Sequence, residues 1–391
     1  MASASLPAPA PGRAALLKAF EESRTGVRGL VESGVSTVPD IFRHPDPYAS
    51  IPLAPPGASI PVVDLSLPFP DAAAAASSAA RTWGFFHLIN YQQQPPAAGD
   101  EYPARALAAV RAFNELPAAE RAPHYGRAVD GGVNYSTNVD LYNSPAASWR
   151  DTIQIMLGPN RRPDLAARIP AACSAEVLEW EGIATAAARA VMGLLSEGLG
   201  LGAAALEEAS CLEGKVMACH YYPHCPEPER TMGIVPHTDP GVLTVLAQDH
   251  IGGLQVKHQD EEGRTCWVEV KPVPGALVIN VGDLLQVQSD CLSQSQLPNS
   301  SVQPIHQIMS NDIYPSVEHR VTLNTREEPR VSIAIFFSPG KRGDSVFYGP
   351  LPGLVSSENP PKYRNFTMGE FFGKFFSRDF ASKALIEPFK L

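Results

Sequence analysis

The chain has 391 residues, a formal net charge of −10, 44% apolar and 18% charged residues. This is the balance of a globular protein with a buried core, and its acidic surplus argues against nucleic acid or an anionic membrane as partners, since both reward a basic surface. No apolar run approaches the roughly 20 residues that span a bilayer.

Residues 1–59 are rich in Pro, Ala and Gly, carry one expected helix over 14–23, and read as an N-terminal arm. The start has no cationic stretch followed by an apolar core, so no secretory signal is expected. Its Ala- and Ser-rich character, with no acidic residue before Glu21, resembles an organelle transit peptide only weakly. The expected location is the cytoplasm. The cysteines at 173, 211, 219, 225, 266 and 291 form no C-x-x-C pair and are expected to be reduced thiols.

A short strand is expected over 60–64, then an Ala-rich helix, then an apolar run of strand length over 83–90. A helix follows near 101–116. Between 175 and 195, Val177, Trp180, Ala184, Ala187, Val191 and Leu194 recur at steps of three and four, which predicts an amphipathic helix with one buried stripe. These elements make up an N-terminal region over 60–214.

After Lys215 the texture changes. Short apolar runs at 215–222, 241–247, 254–257, 266–270, 276–281 and 331–338 are separated by Gly, Pro and Asp turns. The expected fold is α+β, mainly β: a double-stranded β-helix (jelly-roll) core over 215–345, braced by helices. Residues 346–391 read as a C-terminal helical tail.

His-x-Asp occurs three times, at His44/Asp46, His237/Asp239 and His258/Asp260. Pro45 interrupts the first and a polar turn over 257–264 holds the third, so both read as surface residues. Only the middle pair leads into an apolar strand. Residues two apart in extended chain point to one side, so His237 and Asp239 can share a metal; the plain alternative is a hydrogen-bonded pair at a strand end. In Ser316–Val321, alternation places His319 with Val317 on one face and Glu318 with Arg320 on the other. Two imidazoles and one carboxylate on a strand-rich scaffold are the ligand set of a non-haem Fe(II) site, which leaves positions open for a cosubstrate and O₂.

Arg330 and Ser332 are again two apart, ahead of an apolar strand. A guanidinium in a barrel wall needs an anionic partner, and the carboxylate of a small diacid supplies a bidentate one, with the Ser332 hydroxyl as a further donor. The alternative is a surface ion pair of Arg330 with Glu327 or Glu328.

Together these segments resemble the plant 2-oxoglutarate/Fe(II)-dependent dioxygenases, from about Ala14 to the C-terminus. The likeness is carried by Trp83-Gly-Phe-Phe86, His220-Tyr-Tyr-Pro-His-Cys-Pro226, His237-Thr-Asp239 with Leu243-Thr244, Gly252-Gly-Leu-Gln-Val256, Gly282-Asp-Leu-Leu285, His319-Arg-Val321 and Arg330-Val-Ser332. The segments at 26–34, 38–42 and 138–151 are similar to the subgroup of 1-aminocyclopropane-1-carboxylate oxidase homologues, with the nearest likeness to the benzoxazinoid-glucoside dioxygenases of grasses.

The resemblance implies Fe(II) held by His237, Asp239 and His319, and 2-oxoglutarate with its distal carboxylate on Arg330, Ser332 and Tyr222. It further implies O₂ consumption, ascorbate as reductant, release of succinate and CO₂, and hydroxylation of a small aromatic or heterocyclic metabolite, a benzoxazinoid glucoside being the nearest analogue. A monomer is expected. Phe336 lies on the strand face of Ser332 and is a candidate for the substrate pocket, with Tyr135 and Tyr142 behind it; the alternative for each is a core aromatic.

Two departures stand out. Relatives carry Asn at the place of His220. Residues 287–307, Ser- and Gln-rich with Pro298 and Pro304, separate Gly282–Gln286 from Ile308–Asp312, which relatives join directly. A surface loop and a retained in-frame intron both stay open, because every Val codon begins with GT and one Gln codon, CAG, ends in AG. Excision rejoins a strand-like Leu-Leu-Gln-Ile-Met-Ser-Asn-Asp, so the insertion raises the prospect of a broken ladder near His319. Rival functions are an ascorbate-dependent, ethylene-forming type of oxidase and a catalytically impaired jelly-roll protein.

Overall fold

The computed structural model describes residues 11–45, 51–92, 102–128, 130–138, 141–142, 144–209, 211–260, 262–286, 310, 312–323, 326–340, 347–348, 356–357, 360–377 and 386–391. The insertion at 287–307 lies outside them.

Helices in chain order are α1 (Pro11–Ser23), α2 (Gly26–Glu32), α3 (Phe69–Thr82), α4 (Ala104–Asn114), α5 (Ala118–Arg121), α6 (Leu165–Arg168), α7 (Ser174–Gly198), α8 (Ala205–Glu208), α9 (Asp283–Gln286) and α10 (Met368–Ser377). Strands are β1 (Val62–Asp64), β2 (Phe85–Ile89), β3 (Val133–Ser136), β4 (Asp151–Gly158), β5 (Gly214–Tyr222), β6 (Ile234–His237), β7 (Leu243–Gln248), β8 (Leu254–Gln259), β9 (Thr265–Glu269), β10 (Leu277–Val281), β11 (His319–Val321), β12 (Arg330–Ser338), β13 (Phe347–Tyr348) and β14 (Phe366–Thr367).

Two sheets make the core. The larger runs β1-β2-β10-β7-β12-β5-β4-β3 and the smaller β6-β11-β8-β9. All pairings in them are antiparallel except β1 with β2. Strict alternation decides which side chains meet. On β12, Val331, Ile333, Ile335 and Phe337 join the apolar cluster formed with α3, α4 and α7. Arg330, Ser332, Ala334 and Phe336 therefore face the other way, toward the smaller sheet. There Phe85, Tyr222 and Val278 of the large sheet pack with Leu254, Val256 and Val321 of the small one. This is the jelly-roll core, a closed sandwich with the helices braced on one side.

The helix α7 follows its sequence stripe: Val177, Trp180, Ala184, Ala187, Val191 and Leu194 are all buried against the large sheet and α3. Each large apolar side chain moved out of water contributes about 1.5–3 kcal/mol, which a free helix with an exposed stripe forgoes.

The N-terminal segment is tied in by its own small core of Leu17, Phe20, Val27, Phe42, Leu141 and Trp149. Phe42 meets Phe20 and Trp149 edge to face, with centroids 5.3 and 5.2 Å apart. The Asp151 carboxylate accepts the Val27 and Arg28 backbone N–H groups at 2.9 and 2.8 Å, so β4 caps the start of α2. Gly26 adopts φ +67°, and a Cβ there would stand 2.5 Å from Asp151 Oδ1, so glycine is required twice over.

Two local expectations are corrected. Residues 283–286 form a helical turn, not a strand: the Leu285 and Gln286 N–H groups both donate back to the Gly282 carbonyl. The Ser310 N–H donates to the Leu285 carbonyl at 2.8 Å and the Asp312 N–H to the Gln286 carbonyl at 3.1 Å, so the described chain on either side of 287–309 meets there. Strand β11 pairs in register with β8, while its pairing with β6 is irregular between His319 and Val321. His258 lies on β8 rather than in a turn, stacked on Trp83 with ring centroids 3.6 Å apart. Among the described residues no helix is long and apolar enough to cross a membrane.

Candidate metal centre and cosubstrate cradle

His237 ends β6, Asp239 follows it, and His319 opens β11 directly opposite His237. The pairing of two short strands, β6 at the edge and β11 beside it, brings together residues 82 positions apart in the sequence, with the two imidazole centroids 4.2 Å apart. The potential ligand atoms of His237, Asp239 and His319 all lie within 4.8 Å of one another, and the three can hold a metal ion. Nε2 of His237 and of His319 stand 3.7 and 3.6 Å from Asp239 Oδ1, a spacing suited to a shared cation.

Each ligand is oriented from behind. The Nδ1 of His237 pairs with the Val235 carbonyl at 2.9 Å and that of His319 with the Val317 carbonyl at 3.2 Å, which protonates Nδ1 and leaves each Nε2 with a free lone pair. The other carboxylate oxygen of Asp239, Oδ2, accepts Thr244 Oγ1 at 2.6 Å and Asn280 Nδ2 at 2.8 Å, so Oδ1 faces the histidines. Phe85 covers His319 edge-on at 5.1 Å. Burial, and then repulsion from His319, push His237 well below the ordinary imidazole range, so it is neutral and ready to bind. Burial alone would raise Asp239, but the flanking His319 and His237 and the bonds from Asn280 and Thr244 outweigh it, and the carboxyl stays ionised.

On the same inner surface, Arg330 is 3% exposed and lies opposite Tyr222 on β5. Its Nη1 donates to Ser332 Oγ at 2.9 Å and its Nη2 to Gln248 Oε1 at 3.0 Å, with the guanidinium 4.9 Å from the Tyr222 ring centre. Glu328 instead pairs with Arg111 at 2.9 Å, so the surface ion pair considered for Arg330 does not form with it. Arg330 Nε and the Tyr222 hydroxyl are buried without a partner among the described residues. Two orphan donors beside a buried cation and a hydroxyl fit an incoming carboxylate. The donor set thus suits a ferrous ion on one side and a dicarboxylic cosubstrate on the other.

His220 replaces the expected Asn. Its Nδ1 pairs with Thr152 Oγ1 at 2.9 Å, and burial, followed by the charges of Arg150 and Arg330, keeps it neutral. Phe336 is half-buried opposite Thr244, on the inner face near the metal triad. Tyr135 lies in the core between Phe113 and Tyr125 and donates its hydroxyl to Asn114 Oδ1 at 3.2 Å, while Tyr142 is exposed beside Arg127. The sequence reading quoted Thr244 only for its family likeness and missed Asn280. Thr244 carried a signal, since a polar residue alternates into the inward face of an apolar strand; Asn280, central in an apolar strand, carried a similar one.

A jelly roll that gathers two histidines and an aspartate beside a buried Arg-Ser pair defines a class, the oxygenases that use Fe(II) and 2-oxoglutarate. Residues 213–339 match the family model of the 2OG-Fe(II) oxygenase superfamily. Over its whole length the chain is similar to 1-aminocyclopropane-1-carboxylate oxidase homolog 4 of Arabidopsis thaliana, 38% identical with 96% of this chain and 97% of the relative covered. Homolog 1 of the same plant is 37% identical, with 94% of each covered. A crystal structure of JOX2 in complex with 2OG, Fe, and JA superposes with a TM-score of 0.74 at 29% identity, covering 94% of this chain and 97% of that one. The chain belongs to the 2OG-Fe(II) oxygenase superfamily, among the 1-aminocyclopropane-1-carboxylate oxidase homologues, and is a 2-oxoglutarate-dependent dioxygenase. Its cofactor is Fe(II), its cosubstrates 2-oxoglutarate and O₂, with ascorbate the general reductant of the family.

Proposed function

We propose that this enzyme hydroxylates a small aromatic or heterocyclic specialised metabolite, a benzoxazinoid glucoside being the first compound class to try, in the cytoplasm and as a monomer. His237, Asp239 and His319 hold the iron; Arg330, Ser332 and Tyr222 receive the distal carboxylate of 2-oxoglutarate. The observation that carries this assignment is the pair of orphan donors, Tyr222 Oη and Arg330 Nε, buried on the same inner surface as three converging ligand atoms.

Iron with its cosubstrate supplies the oxidising chemistry, coupling oxidation of 2-oxoglutarate to succinate and CO₂ with transfer of one oxygen atom to the substrate. The protein's share is positional. Val235 and Val317 hold the imidazoles in one tautomer, Thr244 and Asn280 turn the carboxylate, and the apolar wall of Phe85, Val256 and Val278 keeps water away. Phe336, half-buried on that surface, supports the reading of a substrate wall there. Tyr142 is argued to act at the surface and Tyr135 as a core residue, given their positions.

The test is a screen of plant phenolics and benzoxazinoids for a mass gain of one oxygen that requires 2-oxoglutarate and yields succinate in step. Oxidation that runs with ascorbate alone, releasing no succinate, would favour the ethylene-forming type of chemistry instead.

A further inference from the structure

Arg150 stands immediately ahead of β4, between two anchored neighbours. The Trp149 backbone N–H donates to the Met232 carbonyl at 2.8 Å and its indole Nε1 to the His224 carbonyl at 3.1 Å. Asp151, on the other side, is fixed by Val27, Arg28 and the Thr137 hydroxyl. Between these anchors the Nε and Nη1 of Arg150 are buried with no acceptor among the described residues.

The register says where the side chain points. Thr152 is opposite His220 and Asp151 opposite Tyr221, so one step further Arg150 comes level with Tyr222, which is itself opposite Arg330. Period two puts Arg150 on the face of Thr152, whose hydroxyl holds His220 inside the barrel. Its charge reaches both His220 and His237. Arg150 is therefore a second guanidinium on the inner surface, near the metal triad.

Arg150 as a residue is half-buried, but two of its guanidinium nitrogens are shut away from water with no acceptor among the described residues, which costs free energy that a carboxylate arriving from solution would recover. The carboxylates already assigned do not supply that partner. Of the two on 2-oxoglutarate, one belongs to Arg330, Ser332 and Tyr222, and the other to the metal. We propose that Arg150 is a specificity-determining residue that receives a carboxylate of the organic substrate. This inference rests on the function proposed above and narrows it, from any aromatic or heterocyclic metabolite to one that carries an acid group. A guanidinium prefers a planar carboxylate that its N–H groups can meet in plane, which sets acids apart from their esters and amides.

The test uses the full chain loaded with Mn(II), a redox-silent stand-in for Fe(II), and with 2-oxoglutarate. Thermal unfolding is followed against phenylacetate, cinnamate and indole-3-carboxylate, each beside its methyl ester. At least one acid should stabilise the protein at concentrations where its ester does not, and Arg150→Gln should weaken that response on the order of tenfold or more. Arg150→Lys, which keeps the charge without the planar fork, should retain part of it. The same melts report whether each variant folds. Acids and esters that act alike, the absence of any response, or an Arg150→Gln protein that responds like the parent would each overturn the proposal. So would a variant whose main defect is weaker 2-oxoglutarate binding, because Arg150 would then serve the cosubstrate. Failure of the parent protein to bind Fe(II) and 2-oxoglutarate would instead sink the broader functional reading.

Discussion

At the scale of single residues the site is a set of divided labours. Asp239 gives one oxygen to the metal side and the other to Thr244 and Asn280. Thr244→Val keeps shape but removes the 2.6 Å bond, and Fe(II) affinity should fall roughly 10–100-fold, as measured by equilibrium titration; an unchanged affinity would show that Thr244 does not orient the ligand. Arg330→Gln leaves Ser332 and Tyr222 without the cation. The KM for 2-oxoglutarate should rise by about one to two orders of magnitude, more than that for the organic substrate, in steady-state assays of succinate release. The candidate pairs His237/Asp239 and Arg330/Ser332 were legible in sequence because strand periodicity converts i, i+2 spacing directly into a shared face, whereas His319 joins the first pair only through the register of β11 on β6. Arg150, Thr244 and Asn280 were not, because their roles depend on which strands lie side by side. For Tyr135 the core alternative left open in the sequence fits its burial, since aromatic identity alone does not tell the pocket from the core.

At the scale of elements, close backbone approaches decide how precisely the ligands are held. Gly282 sits where α9 touches the loop after Asp239, and a Cβ there would come within 2.1 Å of the Gly241 carbonyl. Gly282→Ala must push that loop outward, and it should cost most of the iron binding while the far-ultraviolet circular dichroism stays close to that of the parent. Full iron affinity in this variant would mean that the loop yields freely. On β4, Asp151 is fully buried and receives three hydrogen bonds, so Asp151→Ala strands the Val27 and Arg28 N–H groups and the Thr137 hydroxyl. A loss of about 2–4 kcal/mol is expected in denaturant unfolding, and a loss under 1 kcal/mol would argue that α2 is only loosely docked. The sequence showed the stripe of α7 and most strands to within a residue or two, since their patterns are local. It did not show β3 and β4, which were not among the runs read as strands although β4 alternates buried and half-buried residues along most of its length, nor the helical turn at 283–286, where an apolar pair fits strand and helix equally.

At the scale of the whole molecule, buried histidines couple stability to pH. His87 and His220 are kept neutral chiefly by burial, below the ordinary value of 6.5. A histidine whose folded-state pKa is depressed contributes stability above the unfolded value, and loses it as pH falls below 6.5, because only the unfolded chain then takes up the proton. The metal-free protein should therefore unfold at progressively lower temperature as pH drops below 6.5 toward the carboxylate range, and His87→Gln should flatten the slope; a slope of the opposite sign would contradict the buried-neutral assignment. Leu285 and Ser310 meet on either side of residues 287–309, and β11 pairs with β8 through His319, Arg320 and Val321.

The central claim is that His237, Asp239 and His319 bind one ferrous ion which 2-oxoglutarate then joins through the Arg330 cradle. Anaerobic titration of the purified protein with Fe(II), with and without 2-oxoglutarate, tests it most directly, read by the visible charge-transfer band of the chelate. Saturation at one equivalent, a band that needs 2-oxoglutarate, and loss of both in His319→Ala are the results expected. Equal binding by that variant, or no band in the parent protein, would contradict the account.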